Sequence, residues 1–400
     1  MNRLLCPLLA LALLIASGTA AAEGEAIRRA FFEPEGRAQK YQSADQIFPT
    51  RTVHAGERVM ELPRLSLPEG FDIRYRFEGA EYGIGDFNRR TQGNALLILK
   101  GGRIVHESYH NAAGPATRFM SFSTGKSFTS TLVGIALEQG LIGSLDDALT
   151  QYLPALEGSA YEGVSIRDAL QMVSGVAWDE EAYDWSDVSK PLVRHWLGAY
   201  VEQRYRLVEG ANGLPRARAP GEKFNYSTME TSILGWLVEA VSRQRLARFM
   251  EEHLWRPLGM EFDAAWILDG PEGIGREMAG GGLLATLRDF GRFGLMMAND
   301  GHANGTRIVS ADWVRAATRP DRPAIEYGNL YPDYPLGYGY QWWLFDDGRY
   351  EAQGVYGQLI YVAPEEDVVI VKLSYWPEAW VDAHELESYA FFQAAIEALR

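Results

Sequence analysis

The chain is 400 residues long, enough for two or three domains of roughly 150 residues or for one large domain with an insertion. With 47% hydrophobic and 23% charged residues it has ordinary globular composition, which excludes a disordered, collagenous or coiled-coil chain. Its net charge of −15 opposes nonspecific attraction to nucleic acid or an anionic membrane, and no basic tract offsets it.

The first 22 residues read as a signal peptide: Arg3, the apolar run Leu4 to Ala16, then small residues ending in Ala20-Ala21-Ala22. Cleavage is expected after Ala22, leaving a periplasmic or secreted protein without a stable membrane anchor, because no later segment approaches the roughly 20 apolar residues of a spanning helix. Cys6, the single cysteine, lies inside this leader, too early for a lipid-attachment position. The mature chain then has no thiol nucleophile, thiolate metal site, redox pair or disulfide.

Asn94 to Tyr109 predicts a hairpin turned at Gly101-Gly102, where glycine supplies the positive backbone angles of a tight turn. A helix follows over 124–139, with Phe128, Leu132, Ile135 and Ala136 on one face and Gly140 as its stop. Residues 145–280 carry mainly helical periodicity, including a helix over 230–241 with Ser227 and Glu230 spaced as a capping box. Another helix begins near Thr286. Leu359–Ala363 and Val368–Tyr375 read as strands, and Tyr389, Phe392, Ile396 and Leu399 mark a terminal helix. These elements predict an α/β chain of the α+β type: an antiparallel sheet flanked by helices, built from about 45–140 and 285–400. A mainly helical insertion spans about 141–284, with a cleft where the two parts meet.

Two motifs lead nowhere catalytic. His106-Glu107-Ser108-Tyr109-His110 matches H-E-x-x-H, but on a strand the two imidazoles sit about 13 Å apart, too far to share one zinc ion. The glycines at 280–282 and at 337 and 339 lack the strand-to-helix context of a phosphate loop and read as turns. There is no G-x-S-x-G nucleophile elbow, and nothing in the sequence calls for a metal or cofactor.

Ser123-Thr124-Gly125-Lys126 opens the first predicted helix, and a spacing of three puts serine and lysine on one face. A buried, desolvated lysine can lose enough proton affinity to accept the serine proton, while the Ser123 N–H at the helix start can face an oxyanion. A serine cap followed by a solvated lysine is the commoner meaning of an isolated S-x-x-K. Tyr226, in Phe224-Asn225-Tyr226-Ser227-Thr228, lies just ahead of the second helix and can relay protons, or can pack under a loop. Gly354-Val355-Tyr356-Gly357-Gln358 enters a late strand, where glycine permits close backbone approach and the Val355 N–H can serve as a second oxyanion donor.

In this order the segments resemble the serine β-lactamase-related, penicillin-recognising superfamily, whose signatures are S-x-x-K, Y-x-N and K-T-G. Within it the likeness is to the 6-aminohexanoate-dimer hydrolase and family VIII carboxylesterase branch. Shared phrases are Ser123-Thr-Gly-Lys-Ser, Pro220-Gly-Glu-Lys-Phe-Asn-Tyr226, Gly280-Gly-Gly, Thr286-Leu-Arg-Asp, Tyr338-Gly-Tyr-Gln-Trp-Trp343 and Gly354-Val-Tyr-Gly-Gln358. The resemblance implies Ser123 as acylated nucleophile, Lys126 with Tyr226 as general base, and the N–H groups of Ser123 and Val355 as oxyanion hole. Two departures stand out: Thr228 replaces the asparagine of Y-x-N, and Ala352-Gln353-Gly354 replaces K-T-G. The cation that would read a β-lactam or peptide carboxylate is missing there.

Tyr183, Trp185, Trp342, Gly354 and Tyr356 are the candidate substrate contacts, with Trp178 and Trp376 as further candidates for pocket or core. Asp179-Glu180-Glu181 reads as a solvated face, and Arg216 and Arg218 as loop surface. The sequence thus predicts an exported serine hydrolase of small esters or amides, binding neither nucleic acid nor metal, with its oligomeric state unspecified. β-Lactamase or D,D-peptidase activity is the near alternative, and a noncatalytic peptidoglycan- or peptide-binding homologue the distant one.

Overall fold

The computed structural model describes residues 22–180, 187–271 and 273–400; the predicted leader, apart from Ala22, lies outside them, as do Tyr183 and Trp185. Its centre is a seven-stranded antiparallel sheet in the spatial order Gly337–Tyr338, Trp343–Leu344, Tyr350–Gly354, Gln358–Ala363, Val368–Ser374, Gly93–Lys100, Arg103–Tyr109. Strands from the two ends of the chain meet where Ile370 pairs with Ile98. The diglycine turn forms as expected, with φ of 54° and 69° at Gly101 and Gly102.

Both faces of this sheet are covered, so its central strands Gln358–Ala363 and Val368–Ser374 are buried at every position rather than at alternate ones. Leu96, Ile98, Leu359, Tyr361 and Ile370 point to one side, against Phe87 and against Phe391, Phe392 and Ile396 of the terminal helix Asp382–Ala398. Leu97, Leu99, Ile360, Val362, Val369 and Val371 point to the other side, into the main core with the helices Gly125–Glu138 and Leu287–Ala298. The second of these is capped by Thr286, whose side chain accepts from the Asp289 N–H.

The middle of the chain is mainly helical but contains two strands that periodicity does not reveal, Ala264–Ile267 and Leu283–Ala285. They join Thr50–Val53 and Phe119–Met120 in a four-stranded antiparallel sheet. Short, fully buried runs of this kind carry no period that separates strand from helix. The small sheet matters because Phe119–Met120 leads directly into Ser123, and the Ser121 N–H is bonded to Leu283 O at 2.8 Å. The helix Thr228–Ser242 is capped by Ser227, but only half of the expected capping box forms. The Glu230 carboxylate turns away to the Ser174 hydroxyl, and burial pushes its pKa well above the usual range. His106 lies on the strand Arg103–Tyr109, with His110 just past its end, and His106 Nε2 lies 3.0 Å from Ser108 Oγ.

Candidate active site

Ser123 sits in the 3₁₀ turn Phe122–Thr124 that feeds the helix Gly125–Glu138, so Lys126, one turn later, lies under it. Lys126 is 1% exposed. Among the described residues its Nζ has three polar neighbours: Ser123 Oγ at 3.1 Å, Thr228 Oγ1 at 2.9 Å and Gly280 O at 2.6 Å. Burial lowers its pKa to about 8, with the Glu180 charge acting in the opposite direction.

Those neighbours differ in what they can give. Gly280 O can only accept, and the Thr228 hydroxyl donates its own proton to Glu180 Oε1 at 2.5 Å, so both must receive an N–H from Lys126. A neutral amine has two N–H bonds, both of which are then committed. Its lone pair is left for Ser123 Oγ.

Tyr226 is presented by the loop ahead of the helix Thr228–Ser242, a loop held by Asn225 N to Met172 O at 2.8 Å and Asn225 Nδ2 to Trp178 O at 3.0 Å. Lys126 Nζ lies 5.1 Å from the centroid of its ring. Sequence reasoning expects a lysine neighbour to lower the proton affinity of this phenol, and the structure reverses that expectation. Burial and then the Glu180 charge push the Tyr226 pKa well above the usual value, against a hydrogen bond with Ser123. Tyr226 is therefore held as a neutral phenol.

The strand Tyr350–Gly354 ends against the serine turn. A β-carbon on Gly354 would lie 2.8 Å from Ser121 O and 3.0 Å from Ser123 N, so the glycine is what allows this approach. Val355 follows at the rim of a cavity of about 320 Å³ lined by Ser123, Glu180, Tyr226, Gly354 and Val355 on its reactive side, with Tyr331, Tyr334, Trp343, Gln353 and Trp380 forming the remaining wall. Among the described lining residues there is no arginine or lysine.

Glu180 is the residue that sequence reasoning misplaces. It is 5% exposed, not part of a solvated face, and its carboxylate accepts from Thr228 N at 2.7 Å and from Trp178 Nε1 at 2.6 Å as well as from the Thr228 hydroxyl. Its distant partner Thr228, which supplies both an N–H and a hydroxyl, distinguishes it from a surface acid. Trp342 is also corrected: it is fully buried between Phe293 and Tyr350, and the next residue, Trp343, faces the cavity instead. Tyr356, 2% exposed, packs into an aromatic core with Tyr41 and Phe122 rather than lining the pocket. Trp178 and Trp376 are likewise buried, and Trp380 takes the place at the cavity.

The family profile described as Beta-lactamase matches residues 78–391. The chain belongs to the β-lactamase family. It is 32% identical over 297 residues to the 6-aminohexanoate-dimer hydrolase of Paenarthrobacter ureafaciens, covering 72% of this chain and 74% of that protein. The fold is similar to the structure named "Putative 6-aminohexanoate-dimer hydrolase from Bacillus anthracis", with a TM-score of 0.79 at 21% identity over 90% of this chain and 94% of that one. It is also similar to "EstCE1, a hydrolase with promiscuous acyltransferase activity", at a TM-score of 0.60 and 16% identity over 78% and 97% of the two chains. This member of the β-lactamase family is a serine hydrolase of amidase or esterase type with the mixed antiparallel-sheet fold expected from its sequence.

Proposed function

We propose that the protein is an exported hydrolase that cleaves small esters or linear amides through an acyl-enzyme on Ser123. The observation that carries this reading is the saturation of Lys126 by two obligatory acceptors, which directs its lone pair at Ser123 Oγ. In the first step the Ser123 proton passes to Lys126 and Oγ forms a bond to the substrate carbonyl carbon, whose oxygen becomes the oxyanion. The N–H groups of Ser123 and Val355, brought together at Gly354, stabilise that charge. The C–N or C–O bond then breaks, and the leaving group takes a proton from Lys126 through the neutral Tyr226 phenol. Water repeats the sequence on the acyl carbon and releases the acid.

The pocket refines the substrate class. Its described wall is aromatic and carries Gln353 but no cation to read a carboxylate, which favours an uncharged or amine-bearing chain over a β-lactam or a peptide C-terminus. The relative named for 6-aminohexanoate dimer supports a linear amide of that kind. Tyr183 and Trp185 remain candidate contacts to such a chain. Export rests on the leader alone, with removal after Ala22 and a periplasmic or extracellular location.

The test is hydrolysis of p-nitrophenyl butyrate and of linear aminoacyl amides by residues 23–400, beside Ser123→Ala. Turnover lost in the variant is the expected result. Turnover unchanged by Ser123→Ala, or a chromogenic cephalosporin hydrolysed faster than any ester or amide, overturns the reading.

A further inference from the structure

Two residues that carry side chains sit in the left-handed backbone region beside the two candidate oxyanion donors: Phe122, with φ of 45°, directly before Ser123, and Tyr356, with φ of 63°, directly after Val355. Such a conformation is unfavourable for an aromatic residue and persists only where the surroundings impose it. Phe122 orients the peptide plane whose N–H belongs to Ser123. Tyr356 shapes the three-residue turn joining Gly354 to Gln358, and so sets where Val355 lies.

One segment grips both. Residues 30–48 form an arm of short helical turns ahead of the first strand. The Tyr41 ring, 2% exposed, lies 4.8 Å from the Phe122 ring and 5.2 Å from the Tyr356 ring, which are themselves 5.3 Å apart. Phe32 lies 6.4 Å from Phe122 and is stacked at 6.2 Å on Tyr356. The Arg37 guanidinium stands 4.8 Å over the Tyr356 ring and donates to Trp376 O at 2.8 Å, tying the arm to the chain that continues to Trp380 in the pocket wall. The Met120 N–H is bonded to Tyr41 O at 3.0 Å, so the arm also holds the short strand leading into the serine turn. Among the described residues seven strands lie between Phe122 and Tyr356 in chain order, and Tyr41 touches both.

We infer that this arm sets the oxyanion hole: Tyr41, supported by Phe32, holds Phe122 and Tyr356 in the left-handed region and thereby fixes the spacing of the Ser123 and Val355 N–H groups. Tyr41 is a positioning residue that touches no substrate, and its role rests on the acyl-enzyme reading above. Because a shift of an ångström in preorganised donors is felt mainly in the transition state, loss of the ring acts on kcat rather than on KM.

The experiment compares the parent 23–400 protein with Tyr41→Phe, Tyr41→Leu and Phe32→Leu, at a temperature where each variant gives the circular dichroism of the parent. The readouts are kcat and KM for p-nitrophenyl butyrate and the Kd of a phenylboronic acid, whose tetrahedral adduct occupies the oxyanion hole. Tyr41→Leu is expected to lower kcat about tenfold or more and to weaken the boronate by a similar factor, with KM within about twofold. Phe32→Leu, at a half-buried position, follows in the same direction, and Tyr41→Phe retains parent values. A folded Tyr41→Leu with parent kcat and parent boronate affinity overturns the inference, as does a loss confined to KM. A parent that neither turns over nor is phosphonylated at Ser123 by a fluorophosphonate, with loss of fluoride, overturns the acyl-enzyme reading itself, and the arm's role with it.

Discussion

Among the described residues two lysines are buried beside a serine, and one of the pairs faces a cavity. Lys372 is fully buried, donates to Thr91 O at 3.2 Å and to the Ser374 hydroxyl, and lies 5.6 Å and 5.1 Å from the ring centroids of Phe87 and Trp376. Burial lowers its pKa to about 7, below the value of about 8 reached by Lys126. By the share of neutral amine near pH 7 alone, Lys372 is the readier of the two to take up a proton. Yet Ser374 is 1% exposed on a central strand, whereas Ser123 opens onto the cavity with a second backbone donor beside it. A serine–lysine pair becomes a site through access and a place for the developing charge, and desolvation by itself supplies neither.

The largest expected effect breaks that comparison directly. Ser123→Ala and Lys126→Met should each cost roughly a thousandfold or more in kcat/KM, while Ser374→Ala and Lys372→Met stay within about threefold. Steady-state kinetics on one ester and one amide decide it, and equal losses at both pairs would dissolve the distinction.

A smaller effect sharpens what sets Lys126 apart. Thr228→Val removes one of its two obligatory acceptors, so that the amine can turn away from Ser123, and kcat should fall by roughly 10- to 100-fold. Glu180→Gln acts on the pH profile. In the parent, kcat/KM should rise with pH as Lys126 loses its proton, with a midpoint near 8. The Glu180 charge favours the protonated lysine, so its removal should move that rising limb to lower pH. A limb that stays in place would mean that Lys126 is not the group titrating.

Much of this was legible in the sequence, for reasons that particular residues show. The hairpin at Gly101-Gly102 and the helices carrying Lys126 and following Tyr226 announce themselves because their signals are local: a turn dipeptide, a helical period, a serine cap. Ser123, Lys126 and Tyr226 stand out through the motifs around them, and the structure brings them within reach of one another. Glu180 was hidden because its meaning is non-local. Between Asp179 and Glu181 it reads as surface, whereas the N–H and hydroxyl of Thr228, 48 positions later, join Trp178 Nε1 in making it a buried acceptor. Trp342 and Trp343 show the limit at its narrowest. Adjacent and chemically identical, they point to core and cavity respectively, and the strand geometry that separates them leaves no mark on composition.

The smallest effect concerns the pair buried away from the cavity, and it can be worked out with its sign. Folding holds the Lys372 pKa at about 7 against 10.5 for the ordinary side chain, so between those values unfolding takes up a proton. Parent stability should therefore rise with pH across that window, by up to about 1.4 kcal/mol per pH unit, be complete above the unfolded value, and be lost as pH falls toward 7. Lys126 adds a second such slope that begins near 8. Glu351, which burial raises to about 8, contributes the opposite slope below that value, so the parent curve alone is a mixture. Lys372→Met isolates one component. Methionine fills the same unbranched space, and Thr91 O keeps the Trp376 Nε1–H bond at 3.0 Å, so no carbonyl is left unpaired. Urea unfolding at several pH values between 7 and 10 should show the variant's advantage over the parent greatest at the low end and shrinking as pH rises. Parallel curves would mean that Lys372 titrates alike in the folded and unfolded chains, and that the paired serine, carbonyl and ring faces hold its charge as well as water does.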